Sequence, residues 1–500
     1  MSKVHKWLTV VIFLIILVFF CYFRIKALYL QTVGYTFDQG RDFLKVAEIV
    51  LYRNLTFIGP TTGIMGLYHG AWWYYFLLLP FVVFNGNPIG FYYFNFLLHL
   101  GSLVLLAYVT KKYFGVLTAL TVTSLIALSP YFIFTSLFVG NNIMVLPVFL
   151  GFLIGAFLML EKKKRSPVVA IITGLCLGLV AELEVAFGLF LLPSFFITLL
   201  FYRPLRAAFG TRKNFLFFLL GLFIPFVPRL LFESKHHFQQ TLILLSFFLK
   251  PQLHNSKQFS AIVWERLHLF QGYFTGIFAH DRLVWFALLA VLFASVLILR
   301  TRSRIYSKSL IFFALLTGLL FIFSTFYKDN FWGNYYEGIQ YLFIFMLAIL
   351  LSPVVRKVRP ATNFSTVALS FLLGANLTLG SYKLLTDLPK KPKEENLKSM
   401  ISIVSYVQKN TLSTPYCVRV YTPPVIPYTY QYLFLHNSIS GQRMPQPQED
   451  WVNKTCWFIL ENDSYKERRD RWITANIPVN AIVKKSRLFN DTLVELVTLP

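Results

Sequence analysis

Charge is scarce in this 500-residue chain. Only 14% of its residues are charged, against about a quarter in a soluble domain. The shortage falls on the acids, with 22 Asp and Glu against 47 Lys and Arg. Cysteine is scarce as well. Four residues, with no CxxC and no Cys/His spacing, exclude a disulfide framework and a zinc module. The alternation of apolar and polar residues that a membrane β-barrel needs is missing, as are the internal repeats of many secondary transporters. Apolar side chains are abundant instead: 56% of residues are hydrophobic, 54 are Phe, and the mean hydropathy is +0.60. Continuous apolar runs with polar punctuation exclude a soluble enzyme and a disordered chain. They leave an all-α polytopic membrane protein.

The net charge of +25 does not signal nucleic acid, because the basic residues punctuate the apolar runs. They cluster at Lys162-Lys163-Lys164-Arg165, at Arg203, Arg206, Arg212 and Lys213, at Arg300, Arg302, Arg304 and Lys308, and at Arg356, Lys357 and Arg359. Such clusters orient helices by keeping their positive ends in the cytoplasm. Eleven runs read as spans: 7–23, 89–109, 116–129, 142–160, 167–180, 185–201, 215–232, 283–299, 310–326, 339–351 and 366–381. The first, after Lys3 and Lys6, lacks a small-residue cleavage site and reads as an uncleaved anchor. The segment 71–84 is short, opens on Ala71-Trp72-Trp73-Tyr74-Tyr75 and contains Pro80, so it is expected to lie at the outer interface without spanning.

This topology predicts a multi-pass protein of the cell membrane, with a cytoplasmic N-terminus and an extracytoplasmic C-terminus. A transmembrane domain covers 1–381, with large outer loops at 24–88 and 233–282. The tail, 382–500, is polar, and its strand-like runs at 417–421, 456–460 and 492–497 accompany a helical stretch at 396–409. It reads as a small extracytoplasmic α/β domain. Cys417 and Cys456 open two of those runs; a bridge between them would close a loop of about forty residues and requires Cα atoms within about 7 Å.

Chemistry at a membrane face needs ionisable groups, and only eleven Asp and Glu precede residue 382. The topology puts ten on the outer side: Asp38, Asp42, Glu48, Glu182, Glu184, Glu233, Glu265, Asp281, Asp329 and Glu337; only Glu161 falls inside. In the first outer loop, Phe43, Val46, Ala47 and Val50 mark an amphipathic helix expected to lie on the membrane. Asp38 stands at its start and Asp42 one turn on, with Arg41 nearby. A carboxylate there is either an N-cap or a base. Glu48 is expected to pair with Lys45 or Arg53. Glu182 and Glu184 sit in a short turn, and Glu337 follows Tyr335-Tyr336 at the start of a span.

Asp38-Gln39-Gly40-Arg41-Asp42 opening a juxtamembrane helix, Gly59-Pro60, and Tyr68-His69-Gly70-Ala71-Trp72-Trp73 together resemble the first outer loop of GT-C membrane glycosyltransferases. The branch most similar in type is that of the protein O-mannosyltransferases and lipid A aminoarabinose transferases. Ser129-Pro130, Asn141-Asn142, Glu182-Leu183-Glu184 and Pro228-Arg229 through Glu233 follow in the same order, so the resemblance covers roughly 7–380. It implies a GT-C-like fold with about eleven transmembrane helices, a polyprenyl-phosphate sugar as donor, and an Asp of the first loop as base. The acceptor would be a glycan, lipid or protein. The chain departs from the pattern at Gln39 and Asn142, where relatives carry acids. Both changes remove negative charge, which weakens the case for a divalent metal and leaves the cofactor open.

On this reading Asp38 and Asp42 are the catalytic candidates. Arg41, His69 and Arg229 are the donor-phosphate candidates, and Glu182, Glu184, Asn142 and Glu337 line an acceptor or substrate pocket. Asp38 takes the acceptor proton, fixed positive charge stabilises the lipid-phosphate leaving group, and a single displacement inverts the anomeric centre. The alternative is a transporter or flippase of lipid-linked glycans, which would carry ionisable residues in mid-span and broken helices.

Overall fold

The computed structural model describes residues 3–161, 166–249, 257–301, 306–327, 330–353, 359–387, 396–411, 414–423, 425–439 and 445–500. Asp329 and the basic residues Lys162 to Arg165, Arg302, Arg304, Arg356 and Lys357 lie outside them. All eleven apolar runs are helical. Among the described residues six helices are long and apolar enough to cross a membrane: Trp7–Tyr29, Pro88–Phe114, Asn141–Glu161, Arg212–Lys235, Ser307–Ser324 and Thr362–Thr386. Two bent pairs raise the number to eight. In one, Val116–Leu128 turns by 66° into Pro130–Ser136; in the other, Val185–Phe201 turns by 98° into Arg203–Phe209. The first break falls at Ser129, which Pro130 keeps out of the helical region; the second falls at the extended Tyr202, two residues before Pro204, which lacks the N–H needed to continue the preceding helix. The apolar helix Trp72–Val83 has 12 residues, about 18 Å, too short to cross a bilayer.

The chain forms two compact units. The first comprises Met1–Arg24, Thr56–Trp73 and Asn95–Pro389. In it, helices Pro167–Leu183 and Arg212–Phe223 meet backbone to backbone at Gly174, Gly178 and Gly221, where any Cβ would strike a carbonyl of the facing helix. Small residues let membrane helices approach this closely. A two-stranded antiparallel hairpin, β1 (Ile58–Thr61) and β2 (Tyr68–Gly70), belongs to the same unit.

The second unit gathers Ile25–Leu55, Tyr74–Phe94 and Lys390–Pro500. Its sheet has the order β3-β4-β6-β5, with β3 (Val418–Tyr421) parallel to β4 (Thr455–Leu460) and antiparallel pairing of β6 (Thr492–Thr498) with β4 and β5 (Ile482–Phe489). Helix Tyr428–Ile439 makes the crossover that parallel strands require. Helix Leu397–Asn410 starts at Asn396, whose side chain accepts from the backbone of Ser399. Cys417 and Cys456 are joined in a disulfide, their Cα atoms 4.6 Å apart at the neighbouring starts of β3 and β4. Tyr421, Phe458, Leu460 and Val497 complete the buried core around it.

The amphipathic helix of the first loop forms as Phe37–Tyr52, but its apolar face does not lie on a membrane. Phe43, Val46 and Ala47 are buried within the second unit. Phe43 stacks on Phe91 with ring centroids 3.9 Å apart and meets Tyr432 edge-on at 5.3 Å. Gly40 permits the approach: a Cβ there would come within 2.5 to 2.7 Å of the Tyr428–Thr429 backbone. Protein core has taken the surface that lipid was expected to cover.

Candidate active site

In the second unit, the start of helix Phe37–Tyr52 separates two roles that the sequence left superposed on Asp38. The N-cap is Thr36, in extended conformation. Gln39 reaches back and accepts from the Thr36 backbone N–H at 2.8 Å, and also from the Tyr92 hydroxyl at 3.1 Å. Gln39, the residue that departs from the acidic pattern, therefore secures the helix start. Asp38 is relieved of capping, and its carboxylate pairs with Arg41 Nη1 at 2.9 Å. Arg41 Nε donates to Asp42 Oδ1 at 2.8 Å. The two acids differ in access: the Asp38 side chain is 69% exposed and that of Asp42 3%. Burial alone would lower the Arg41 pKa, but the charge of Asp42, and then that of Asp38, outweigh it and hold the guanidinium above its ordinary value. Tyr74 is hydrogen-bonded to Arg41 as well. Glu48 pairs with Lys45 at 2.9 Å, as expected.

Asp38 and Asp42 flank a guanidinium, which sits where a divalent cation would have to bind. Among the described residues no three His, Cys, Asp or Glu side chains come together in a metal-holding group. These donors do not fit a hard dication that needs several carboxylate oxygens.

In the first unit, Arg229 ties three elements together. Its Nε donates to Glu182 Oε1 at 2.7 Å, and its Nη1 to the Tyr68 carbonyl at 3.1 Å and to Gln240 Oε1 at 3.2 Å. Gln240 also accepts from the Tyr68 N–H at 2.9 Å. Glu233 accepts from the backbone of Gln240 and Thr241 and from the Thr241 hydroxyl, so it anchors the helix Gln239–Leu249. This network opens on a cavity of about 160 Å³ whose other walls include Leu189, Leu192, Phe226 and Leu244. Three buried polar atoms of the network, Arg229 Nη2, Gln240 Nε2 and Glu182 Oε2, have no hydrogen-bond partner among the described residues. His69 is buried nearby and accepts at Nδ1 from the Val185 N–H at 3.4 Å.

Glu182 and Glu184 do not form a solvated turn. Glu184 alone links helices Pro167–Leu183 and Val185–Phe201, and both carboxylates are buried. Burial pushes the Glu184 carboxyl up to about 8, against the Ala186 N–H that favours its charge, and Glu337 raises it further. Burial likewise raises Glu337, to about 7, although the Tyr131 hydroxyl donates to it. Asn142 lies half-buried at the start of helix Asn141–Glu161, and it is Asn141 that bonds the Leu183 carbonyl, at 2.8 Å. Asp38, Arg41 and Asp42 thus cluster in one unit. His69, Glu182, Arg229, Glu184 and Glu337 lie in the other. Gln39, Tyr74, Gln240 and Tyr131 were missed. Of these, Gln39 was marked in sequence only as a departure from the acidic pattern, and Gln240 is a polar residue at the edge of the apolar stretch 238–248.

No protein-family model matches the chain, and no curated protein matches its sequence. Its fold is similar to that of ArnT from Cupriavidus metallidurans bound to undecaprenyl phosphate, with a TM-score of 0.58 and 11% identity over 98% of both chains. It is also similar to ArnT from the same organism in the apo state, with a TM-score of 0.57 and 12% identity over 99% of this chain and 98% of the other. Helices, small C-terminal sheet and end-to-end likeness make this a polytopic membrane protein of GT-C-like fold.

Proposed function

We propose that the protein transfers a sugar from a polyprenyl-phosphate donor to an acceptor hydroxyl at the outer face of the cell membrane, with Asp38 as general base. The observation that carries this reading is the state of Asp38: a carboxylate in the first turn of an anchored helix, not used as its cap, exposed, and held by Arg41. A likeness in fold to a protein bound to undecaprenyl phosphate supports the choice of donor. The acceptor oxygen attacks the anomeric carbon as its proton passes to Asp38. The bond from that carbon to the phosphate oxygen breaks on the opposite face, and polyprenyl phosphate leaves with the electron pair, so the product is inverted. Asp42 positions Arg41, which steadies Asp38 and offers positive charge to the leaving phosphate.

In the first unit, His69 and Arg229 are proposed phosphate ligands. Buried donors left unpaired cost about 1–3 kcal/mol each, so an anion that paired Arg229 Nη2 and Gln240 Nε2 would be held favourably. Glu182, Glu184, Asn142 and Glu337 are proposed substrate-pocket residues. The N-terminus is assigned to the cytoplasm and the C-terminal region to the outside. The test is reconstitution of the purified chain with polyprenyl-phosphate sugars and measurement of released polyprenyl phosphate. Release that depends on an added acceptor and is lost in Asp38→Asn is expected; release unchanged in that variant would remove Asp38 from the chemistry.

A further inference from the structure

Two cavities in the unit that carries Asp38 adjoin each other. One, of about 410 Å³, is bordered by Arg41, Lys45, Tyr52, Tyr74 and Tyr428. The other, of about 520 Å³, is bordered by Arg419, Gln431, Glu449, Trp472 and Asn476. Leu44 and Gln446 line both, so the two make one groove. It runs from the arginine that holds Asp38 to strand β3 of the tail. Each part is within the roughly 300–1,000 Å³ of ligand sites.

The lining says what would fit. The lining carries both signs: Arg41 pairs with Asp38 and Asp42 and Lys45 with Glu48, while Arg419, bonded to the Glu449 carbonyl at 2.8 Å and Asn476 Oδ1 at 3.3 Å, shares its wall with the acidic residue Glu449. With acids and bases interleaved, no charge of one sign lines the groove to select a strongly anionic or strongly cationic occupant. Gln431 and Gln446 are exposed, and their side chains make no hydrogen bond to any described residue. An acyl chain would desolvate these amides without pairing them. Tyr52 is 72% exposed, and Tyr428 and Trp472 are half-buried, so flat aromatic surface alternates with amide donors and acceptors along the groove. Carbohydrate matches both, its hydroxyls pairing with amides and its C–H faces lying on rings.

We infer that this groove is the acceptor site and that the acceptor is an uncharged carbohydrate chain whose terminal hydroxyl reaches Asp38. Only the word acceptor rests on the proposed transfer reaction; binding of the carbohydrate does not. The test therefore omits the donor lipid. The full chain in detergent micelles is applied to an array of neutral oligosaccharides, acidic oligosaccharides and peptides. Retention on neutral oligosaccharides is expected. Gln446→Trp, which fills the junction of the two cavities, abolishes it, and Gln431→Ala, on an exposed side chain that the fold does not use, weakens it roughly three- to tenfold. Thermal unfolding of each variant checks that it is folded. Should Gln446→Trp fail that check, Gln431→Ala alone decides. Retention confined to acidic glycans or peptides, no retention at all, or wild-type retention by the folded variants would overturn the inference. Carbohydrate binding without release of polyprenyl phosphate from a donor would count against the transfer reaction and leave the groove standing.

Discussion

A carboxylate can serve as a base only if the fold does not consume it, and on this criterion Asp38 and Asp42 part company. Asp38 is exposed and its pair with Arg41 is a surface ion pair, worth about 0–1 kcal/mol. Asp42 is buried against the same guanidinium, and a hydrogen bond to a charged group is worth about 1.5–3 kcal/mol. Asp38→Asn should therefore leave the unfolding temperature nearly unchanged while slowing transfer about 10²- to 10⁴-fold. Asp42→Asn should lower the unfolding temperature clearly and slow transfer only as far as Arg41 loses its position. Equal destabilisation by both variants would make Asp38 a structural residue. Glu184 carries a prediction of a different kind. Its carboxyl is raised to about 8 in the folded chain and returns to the ordinary carboxylate range on unfolding, so the folded state holds the extra proton between those values. Stability is then complete at pH below about 4.5 and declines as pH rises toward 8. Glu337, raised to about 7, acts in the same sense. Glu184→Gln should flatten the fall of unfolding temperature between pH 5 and 8; a slope identical to wild type would show that Glu184 does not titrate there.

At the level of elements, the helix Phe37–Tyr52 shows packing overruling propensity. Alanine in a helix interior is favoured over glycine by about 0.8–1 kcal/mol. At Gly40 a Cβ would run into the backbone of Tyr428 and Thr429, and forced overpacking costs about 1–3 kcal/mol. The clash wins, so Gly40→Ala should destabilise the chain and expose its second unit to protease, although it improves the isolated helix. Helix existence and period were legible, because Phe43, Val46 and Ala47 repeat at helical spacing. What covers that face was not, since an amphipathic stripe looks the same whether lipid or the tail helix Tyr428–Ile439 buries it. The same limit hid that tail helix. Prolines at 423, 424 and 427 stand ahead of it, and the helix begins only after Pro427. Strand β5 escaped notice for the opposite reason. It is exposed along nearly its whole length and carries Lys484, Lys485 and Arg487, so it shows no apolar alternation.

For the molecule as a whole, the apolar runs and the prolines between them were enough to anticipate the helices, because a membrane chain must satisfy its backbone within each run. The network around Arg229 was not legible, since it joins residues far apart in sequence whose pairing depends on the fold. The proposed orientation rests on two independent features. The basic clusters, among them Arg203, Arg206, Arg212 and Lys213, favour the cytoplasm. The Cys417–Cys456 bridge favours an oxidising compartment for the tail. In a chain lacking Cys21 and Cys176, a cysteine placed at Val479, fully exposed in the tail, should react with an impermeant thiol reagent in intact cells. One placed at Arg206, also exposed, should react only after the cells are opened. The bridge adds a second readout. Closing a loop of 39 residues is worth roughly 4 kcal/mol in the chain-entropy account, so reducing it should lower the unfolding transition of the unit that holds the tail. Labelling of Val479→Cys only in opened cells would place the tail in the cytoplasm. The bridge would then face a reducing compartment, and Asp38, which shares a unit with the tail, could not be the base of a reaction at the outer face.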